Sequence, residues 1–174
     1  KTAGTGTSTI SNHFRNTGTV EIQTGTLQLT GSNGLTHIQT AGQTILNGGV
    51  LSVTANAPYQ IQGGELRGIG TATAFVQNTG GTVAPGLSVG TLNITGNYTH
   101  GAGAVLKIEL GGLTPGSGHD QLTVSGTATL QGGTVDVTPF GGFIPQVGQQ
   151  FVILTAGNVV GTFSGVTGPG AYTL

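Results

Sequence analysis

Gly25-Thr26-Leu27-Gln28-Leu29, Gly49-Val50-Leu51-Ser52-Val53, Gly90-Thr91-Leu92-Asn93-Ile94 and Gly133-Thr134-Val135-Asp136-Val137 are four copies of one phrase. Each has a glycine, a small or apolar residue, then two apolar residues separated by a polar or small one. Weaker copies begin at Gly64-Glu65-Leu66 and Gly81-Thr82-Val83. A turn residue followed by a short alternating strand, repeated along a chain, is the pattern of a β-solenoid. Such a repeat specifies a rod and leaves the chemistry open.

Alternation supports this reading. In Ala104–Leu110, Leu106, Ile108 and Leu110 share one parity, and Lys107 and Glu109 the other. The same test puts Val20 and Ile22 inside with Glu21 outside, and Val135 and Val137 inside with Asp136 outside. These are half-buried strands. The spacing predicts strands at Thr19–Gln23, Thr26–Thr30, Leu35–Gln39, Gln43–Leu46, Val50–Ala55, Thr91–Thr95, Ala104–Leu110, Gln121–Ser125, Thr127–Leu130 and Thr134–Thr138. Residues 1–18 read as a polar stretch with Ile10 and Phe14 as core points. Residues 58–76 read as less regular, with Ile61, Leu66, Ile69, Phe75 and Val76 as apolar points. Gly80–Gly86 reads as a turn-rich corner, and Pro58–Gly64 and Gly111–Gly118 as loops leaving the rod. Repeats of roughly 15–25 residues predict about eight or nine coils and a rod ~40 Å long.

Composition agrees with a β-rich chain. Of 174 residues, 35 are Gly and 30 are Thr, and both are poor helix formers. Only 5% are charged, against about a quarter in ordinary domains. Disorder needs low hydrophobicity together with high charge, and the charge is missing. Net charge is −1, with nothing to attract a phosphate backbone, so nucleic acid is not an expected partner. No apolar stretch approaches the ~20 residues of a spanning helix, so no membrane insertion of this segment is expected. The absence of Cys, Met and Trp excludes disulfides and thiol chemistry and suits life outside a cell. The chain starts at Lys1 without an initiator Met, which suggests a processed or excised piece.

Composition shifts near Pro139. Phe140, Phe143, Phe151 and Phe163 follow it, and Phe151-Val152-Ile153-Leu154 is continuously apolar, as if buried on both faces. The expected organisation is solenoid coils over 1–138 and a closing, capping segment over 139–174. A bare terminal coil exposes a strand edge and invites polymerisation.

Gly80-Gly81-Thr82-Val83-Ala84-Pro85-Gly86-Leu87-Ser88-Val89-Gly90-Thr91-Leu92-Asn93-Ile94-Thr95-Gly96-Asn97-Tyr98-Thr99 resembles a stretch of bacterial autotransporter passenger domains and related surface proteins. So do His119–Leu130, Gly148–Ala156 and Gly161-Thr162-Phe163, and the resemblance covers roughly residues 78–166. It implies a right-handed parallel β-helix, secreted across the bacterial envelope to the cell surface. It also implies roles in adhesion, biofilm formation or carrying an effector. The 174 residues are few for a passenger and include no stretch that resembles a translocator barrel, a protease or a lipase module.

Catalytic signals are sparse. Polysaccharide-active β-helices need clustered acids. Glu21, Glu65, Glu109, Asp120 and Asp136 are far apart in sequence and read as solvated charges. His119-Asp120 is the only adjacent pair suited to acid/base work. Its place after Pro115-Gly116-Ser117-Gly118 suggests that Asp120 caps backbone N–H groups. His13, His37 and His100 have no metal-ligand spacing and read as surface or corner residues. Asn93-Ile94-Thr95 and Asn97-Tyr98-Thr99 match the glycosylation pattern, but capped turns explain those asparagines more economically. Thr-X-Thr triplets such as Thr71-Ala72-Thr73 recur at no fixed interval, which argues against a flat ice-binding array.

The sequence therefore predicts no catalytic residue, no cofactor and no metal ligand. It predicts a structural extracellular solenoid, an adhesin, stalk or self-associating filament subunit. Expected partners are a second copy, end to end or by edge strands, or a surface glycan or protein. The alternatives are a carbohydrate-binding module, which needs exposed rings among Tyr59, Tyr98, Tyr172 and six Phe, and a polysaccharide-active β-helix enzyme.

Overall fold

The computed structural model describes residues 1–31, 36–54, 57–170 and 172–174. Among them there are strands and turns and no helix. The strands fall into successive rungs. The first rung is β1 (Thr7–Ile10), β2 (Phe14–Asn16) and β3 (Thr19–Ile22). The second is β4 (Thr26–Leu29), β5 (His37–Gln39) and β6 (Gln43–Leu46). The third is β7 (Val50–Val53), β8 (Tyr59–Ile61) and β9 (Glu65–Gly68). The fourth is β10 (Thr71–Thr73), β11 (Val76–Asn78) and β12 (Thr82–Pro85). The fifth is β13 (Thr91–Ile94), β14 (Tyr98–His100) and β15 (Val105–Leu110). The sixth is the long β16 (Gln121–Gln131) with β17 (Thr134–Pro139), and the seventh is β18 (Leu154–Thr162) with β19 (Gly165–Thr167).

Every named strand pairs in parallel with its counterparts in neighbouring rungs. One sheet holds β3, β6, β9, β12, β15, β17 and β19 in that order. The other runs β1-β4-β7-β10-β13 into β16 and back through β14-β11-β8-β5-β2, with β18 on the far side of β16. The two columns merge because β16 is continuous across the bend, with a register shift between Val124 and Thr127. The fold is all-β, and this pairing of parallel strands in two sheets is consistent with a β-solenoid.

Inward positions stack in columns. Leu27, Leu51, Ala72, Ile94 and Val124 form one, and Leu66, Val83, Leu106 and Val135 another; all are buried. Outward positions carry Gln, Thr and the few charges. Leu106, Ile108, Leu110, Val135 and Val137 are buried, as their parity requires.

Several expectations need correction. The described residues form seven rungs, spanning about 30 Å at ~4.8 Å each, and not eight or nine. The later rungs are longer: Thr7 to Thr26 is a step of 19 residues, whereas Leu122 to Leu154 is 32. Residues 1–18 contain β1 and β2 where no strand is expected, while Ile10 and Phe14 pack against the core as the sequence predicts. Pro58–Gly64 stays on the rod as β8, and the Gly80–Gly86 corner contains β12. Gln121–Ser125 and Thr127–Leu130 are one strand. Ile69 and Phe75 are exposed. Val152 is also exposed, so Phe151–Leu154 is not buried on both faces. Leu35 and Ala55, expected strand ends, lie outside the described residues.

Tight stacking explains a column of glycines. Gly42 has φ +66°, and a Cβ there would lie 1.9 Å from the Gly18 carbonyl oxygen one rung below. A Cβ on Gly64 would lie 2.4 Å from the Gly42 oxygen. Neither the backbone angle nor the space admits a side chain.

Candidate functional site

One corner of the rod departs from the rest. It joins the smaller sheet to the next rung. Its successive copies are residues 23–25, 47–49, 69–70, 86–90, 111–120 and 140–153. The last three grow outward and stack on one another. Their exposed apolar residues, Leu87, Leu113, Phe140, Ile144, Val147 and Val152, add to Ile69 below them. Exposed apolar side chains therefore concentrate at this corner, with Phe75, Val159, Val160 and Leu174 exposed elsewhere.

His119 and Asp120 lie inside this corner and are almost wholly buried, at 0% and 2% exposure. Asp120 Oδ1 accepts the Gly90 N–H at 2.8 Å, and Oδ2 accepts the Glu109 N–H at 2.8 Å. One carboxylate thus joins the 86–90 corner to the end of β15. Burial raises its pKa to about 7, against the downward pull of the Glu109 and Gly90 N–H groups. The His119 ring faces two carbonyl oxygens, Gly112 at 3.2 Å from Nδ1 and Val152 at 3.4 Å from Nε2. Gln121 Nε2 also donates to the Val152 oxygen, at 3.1 Å. Phe151 meets the His119 ring edge-on at 5.3 Å, and Phe143 meets Phe151 in the same way at 6.2 Å. The pair ties three stacked loops together, the capping role expected of Asp120.

The other acids are not gathered. Glu21, Glu65, Glu109 and Asp136 lie on β3, β9, β15 and β17. Asp136 is the register partner of Lys107 and accepts from the Thr167 hydroxyl at 3.0 Å. Glu65 faces Arg67 at 3.7 Å. Among the described residues, no three His, Asp or Glu side chains converge as a metal site.

His13 meets the expectation of a surface or corner position, and His37 and His100 do not. His37 and His100 are fully buried, and only His13 is exposed. They occupy two inward columns. Phe14, His37, Tyr59, Val76, Tyr98 and Ala128 stack in one, and Asn16, Gln39, Ile61, Asn78, His100 and Leu130 in the other. Two internal polar clusters result. In the lower one, the Thr44 hydroxyl sits 2.6 Å from Gln39 Oε1 and 2.8 Å from the Tyr59 hydroxyl. Asn16 donates to the Gln43 carbonyl at 2.9 Å and accepts the Gly18 N–H at 2.9 Å. In the upper one, Asn78 accepts the Gly81 N–H at 2.9 Å and donates to the Gly81 carbonyl at 3.0 Å. The Tyr98 hydroxyl is 2.8 Å from His100 Nδ1, and Phe163 packs edge-on against the His100 ring at 5.0 Å.

Burial dominates the titration of these groups. It lowers the pKa of His100 to about 4, opposed by the backbone of Ala104 and Thr134. It raises Tyr59 to about 12 and Tyr98 further. His37 is lowered by burial and then by His13. The parity of His37, Tyr59 and Tyr98 within their strands could have revealed these clusters.

Buried Tyr59 and Tyr98 are lost as sugar platforms, and the exposed rings Phe75 and Phe140 sit after different strands, β10 and β17. Of the six Phe, Phe75 and Phe140 are exposed and the other four are half-buried. Asn97 Oδ1 accepts the Thr127 N–H at 2.9 Å, and Asn93 accepts from the Thr123 hydroxyl, so both asparagines brace the next rung.

At the far end, a groove of about 1350 Å³ opens above Val135, Val137, Phe163 and Val166, flanked by residues of 142–154 and 169–174. Among the described residues, no helix is long and apolar enough to cross a membrane. No family model, no curated protein and no solved structure matches the chain.

Proposed function

We propose that this chain is a length of right-handed parallel β-helix from a bacterial surface protein of the autotransporter-passenger type. Its work is structural and non-catalytic: it serves outside the cell as a stalk or adhesin. Residues 139–174 close the last complete rung, laying Phe143, Phe151 and Tyr172 against the core. The observation that carries this reading is the use made of His119 and Asp120. The one acid/base pair in the sequence is buried, and its polar atoms face backbone groups of stacked corners. A general acid or base must reach the proton that it moves. The neutral, Thr- and Gly-rich skin and the absence of Cys, Met and Trp favour an extracellular setting.

Displaying the chain on bacterial cells tests this. Cell–cell aggregation and attachment to a surface should rise on display and be unchanged in Asp120→Asn. Depolymerisation of a polysaccharide by the displayed chain, abolished in Asp120→Asn, would replace the structural reading with an enzymatic one.

A further inference from the structure

The charged side chains are unevenly placed on the rod. Glu21, Glu65, Glu109 and Asp136 lie on strands of the smaller sheet with Arg67 and Lys107, and Asp120 is buried. The flank formed by β2, β5 and β8 carries Arg15 and no acid. Register pairs set Arg15 beside Ile38 and Ile38 beside Gln60. All three point away from the core, since their neighbours Asn16, His37, Gln39, Tyr59 and Ile61 are buried. A pocket of about 370 Å³ opens on this flank, with His13, Arg15, Thr36, Ile38, Thr40 and Gln62 around it. Its walls come from the first three rungs, and it faces sideways. The volume falls within the ~300–1,000 Å³ of small-ligand sites.

Hydrogen bonds fix what each side chain offers there. The Thr36 N–H donates to His13 Nδ1 at 3.2 Å, so the neutral ring carries its proton on Nε2. Arg15 Nε donates to the Thr40 hydroxyl oxygen at 3.4 Å, and its two terminal nitrogens have no partner among the described residues. The one side-chain ion pair among those residues is Arg67 with Glu65, so no carboxylate of the chain competes for Arg15. Gln62 Nε2 donates to Gln60 Oε1 at 2.9 Å, which leaves Gln62 Oε1 as an acceptor.

We propose that this pocket binds a uronate unit of an acidic polysaccharide, with Arg15 pairing its carboxylate. The parallel N–H groups of a guanidinium match the two oxygens of a carboxylate. His13 Nε2 adds a donor, the Thr36 and Thr40 hydroxyls and Gln62 Oε1 suit sugar hydroxyls, and half-buried Ile38 is an apolar floor for the ring. A sulfate or phosphate ester presents three oxygens, and the pocket holds no second fixed cation for them. An acidic peptide side chain would leave the hydroxyls and Gln62 unused. Recognition rests on charge and hydrogen bonding, so it needs no exposed aromatic platform.

This inference rests on the adhesin reading, to which it gives a target, but it fails separately. The chain should be retained on immobilised polygalacturonate and held about tenfold less by the methyl-esterified polymer, which lacks the charge. Titration with short galacturonate oligomers should shift the amide NMR signals of Arg15, Thr36, Ile38 and Thr40. Arg15→Gln should weaken retention about tenfold with an unchanged β-type circular dichroism spectrum. Arg15→Lys, which keeps the charge and loses the fork, should recover only part, and Lys107→Gln on the smaller sheet should change nothing. Equal binding of the ester, equal or tighter binding of dextran sulfate or polyglutamate, shifts confined to other residues, or no retention at all would overturn the proposal. None of these results would make the chain an enzyme, and depolymerisation of a polysaccharide would not by itself empty this pocket.

Discussion

The first three copies of the variable corner and the last three solve one problem in two ways. At residues 23–25, 47–49 and 69–70 the chain turns within two or three residues. Backbone passes directly over backbone, and glycine is the solution: a Cβ on Gly25 would lie 2.5 Å from the Gly6 oxygen, and one on Gly70 2.3 Å from the Gly49 oxygen. At 86–90, 111–120 and 140–153 the corner has room, but its backbone groups leave the ladder. There the solution is a buried polar side chain, Asp120 or His119, that bonds the loops to one another. A solenoid can thus lengthen a corner without losing its stack, provided that side chains replace the missing ladder bonds.

The comparison breaks most visibly at the glycines. Gly25→Val combines a positive φ with a Cβ 2.5 Å from the Gly6 carbonyl oxygen. It should cost at least ~4 kcal/mol, read as loss of the cooperative urea transition or a large fall in its midpoint. The same substitution at Gly141, where a Cβ meets nothing within 4 Å, should cost far less despite its φ of +60°.

Asp120→Ala comes next. The buried Gly90 N–H and the partly buried Glu109 N–H lose their acceptor, at ~1–3 kcal/mol each, offset by relief from burying the carboxylate. A net loss of about 2 kcal/mol is expected. Amide exchange should rise at Gly90 and Glu109 and stay unchanged at Gly49 and Gly70. Uniform loosening of both ends would remove the distinction between the two kinds of corner.

A smaller effect concerns pH. Asp120, raised to about 7, favours folding in its protonated form; this contribution is full at acid pH and is lost as pH rises through about 7. His100, lowered to about 4, contributes fully above the usual imidazole range, and that contribution is lost as pH falls toward 4. Between pH 4 and 7 the two slopes oppose each other. Thermal denaturation of Asp120→Asn should therefore show stability falling steadily from pH 7 to 4, where the unaltered chain stays flatter. Tyr98→Phe is the mildest change: it removes the hydroxyl 2.8 Å from His100 and should cost about 1 kcal/mol in chemical denaturation.

The repeat phrase made β4, β7, β13 and β17 legible and alternation did the same for β3, β6 and β15, whereas β9 and β12 fall where the sequence reads as an irregular stretch and a turn-rich corner, and β19 follows a segment in which no strand is expected. The β2–β5–β8–β11–β14 column was harder. Its three-residue strands carry Asn, His, Gln and Tyr inward, so apolar periodicity is silent there. In β5 it misleads, since Ile38 faces out between buried His37 and Gln39. Rung-to-rung pairing puts those polar residues in two adjacent columns, where all but His37, whose ring nitrogens have no partner among the described residues, bond to each other or to the corner backbone, and no single strand reveals that. The capping role of Asp120 was readable from its position after a glycine-rich turn. The burial of His119 against Phe151 was not, because the two are brought together by stacked loops that a linear sequence keeps apart.

The central claim is that each strand lies beside its counterpart one rung away, in parallel and in register. Gln60 and Gln77 are register partners on the outer face, and Thr99 is one rung further along the same column. Neighbouring strands are about 4.8 Å apart, within reach of a disulfide, and two rungs are not. In this cysteine-free chain, Gln60→Cys/Gln77→Cys should close an intramolecular disulfide under mild oxidation, and Gln60→Cys/Thr99→Cys should not. A bridge in the second pair, or none in the first, would contradict the stacking on which the rest of the account depends.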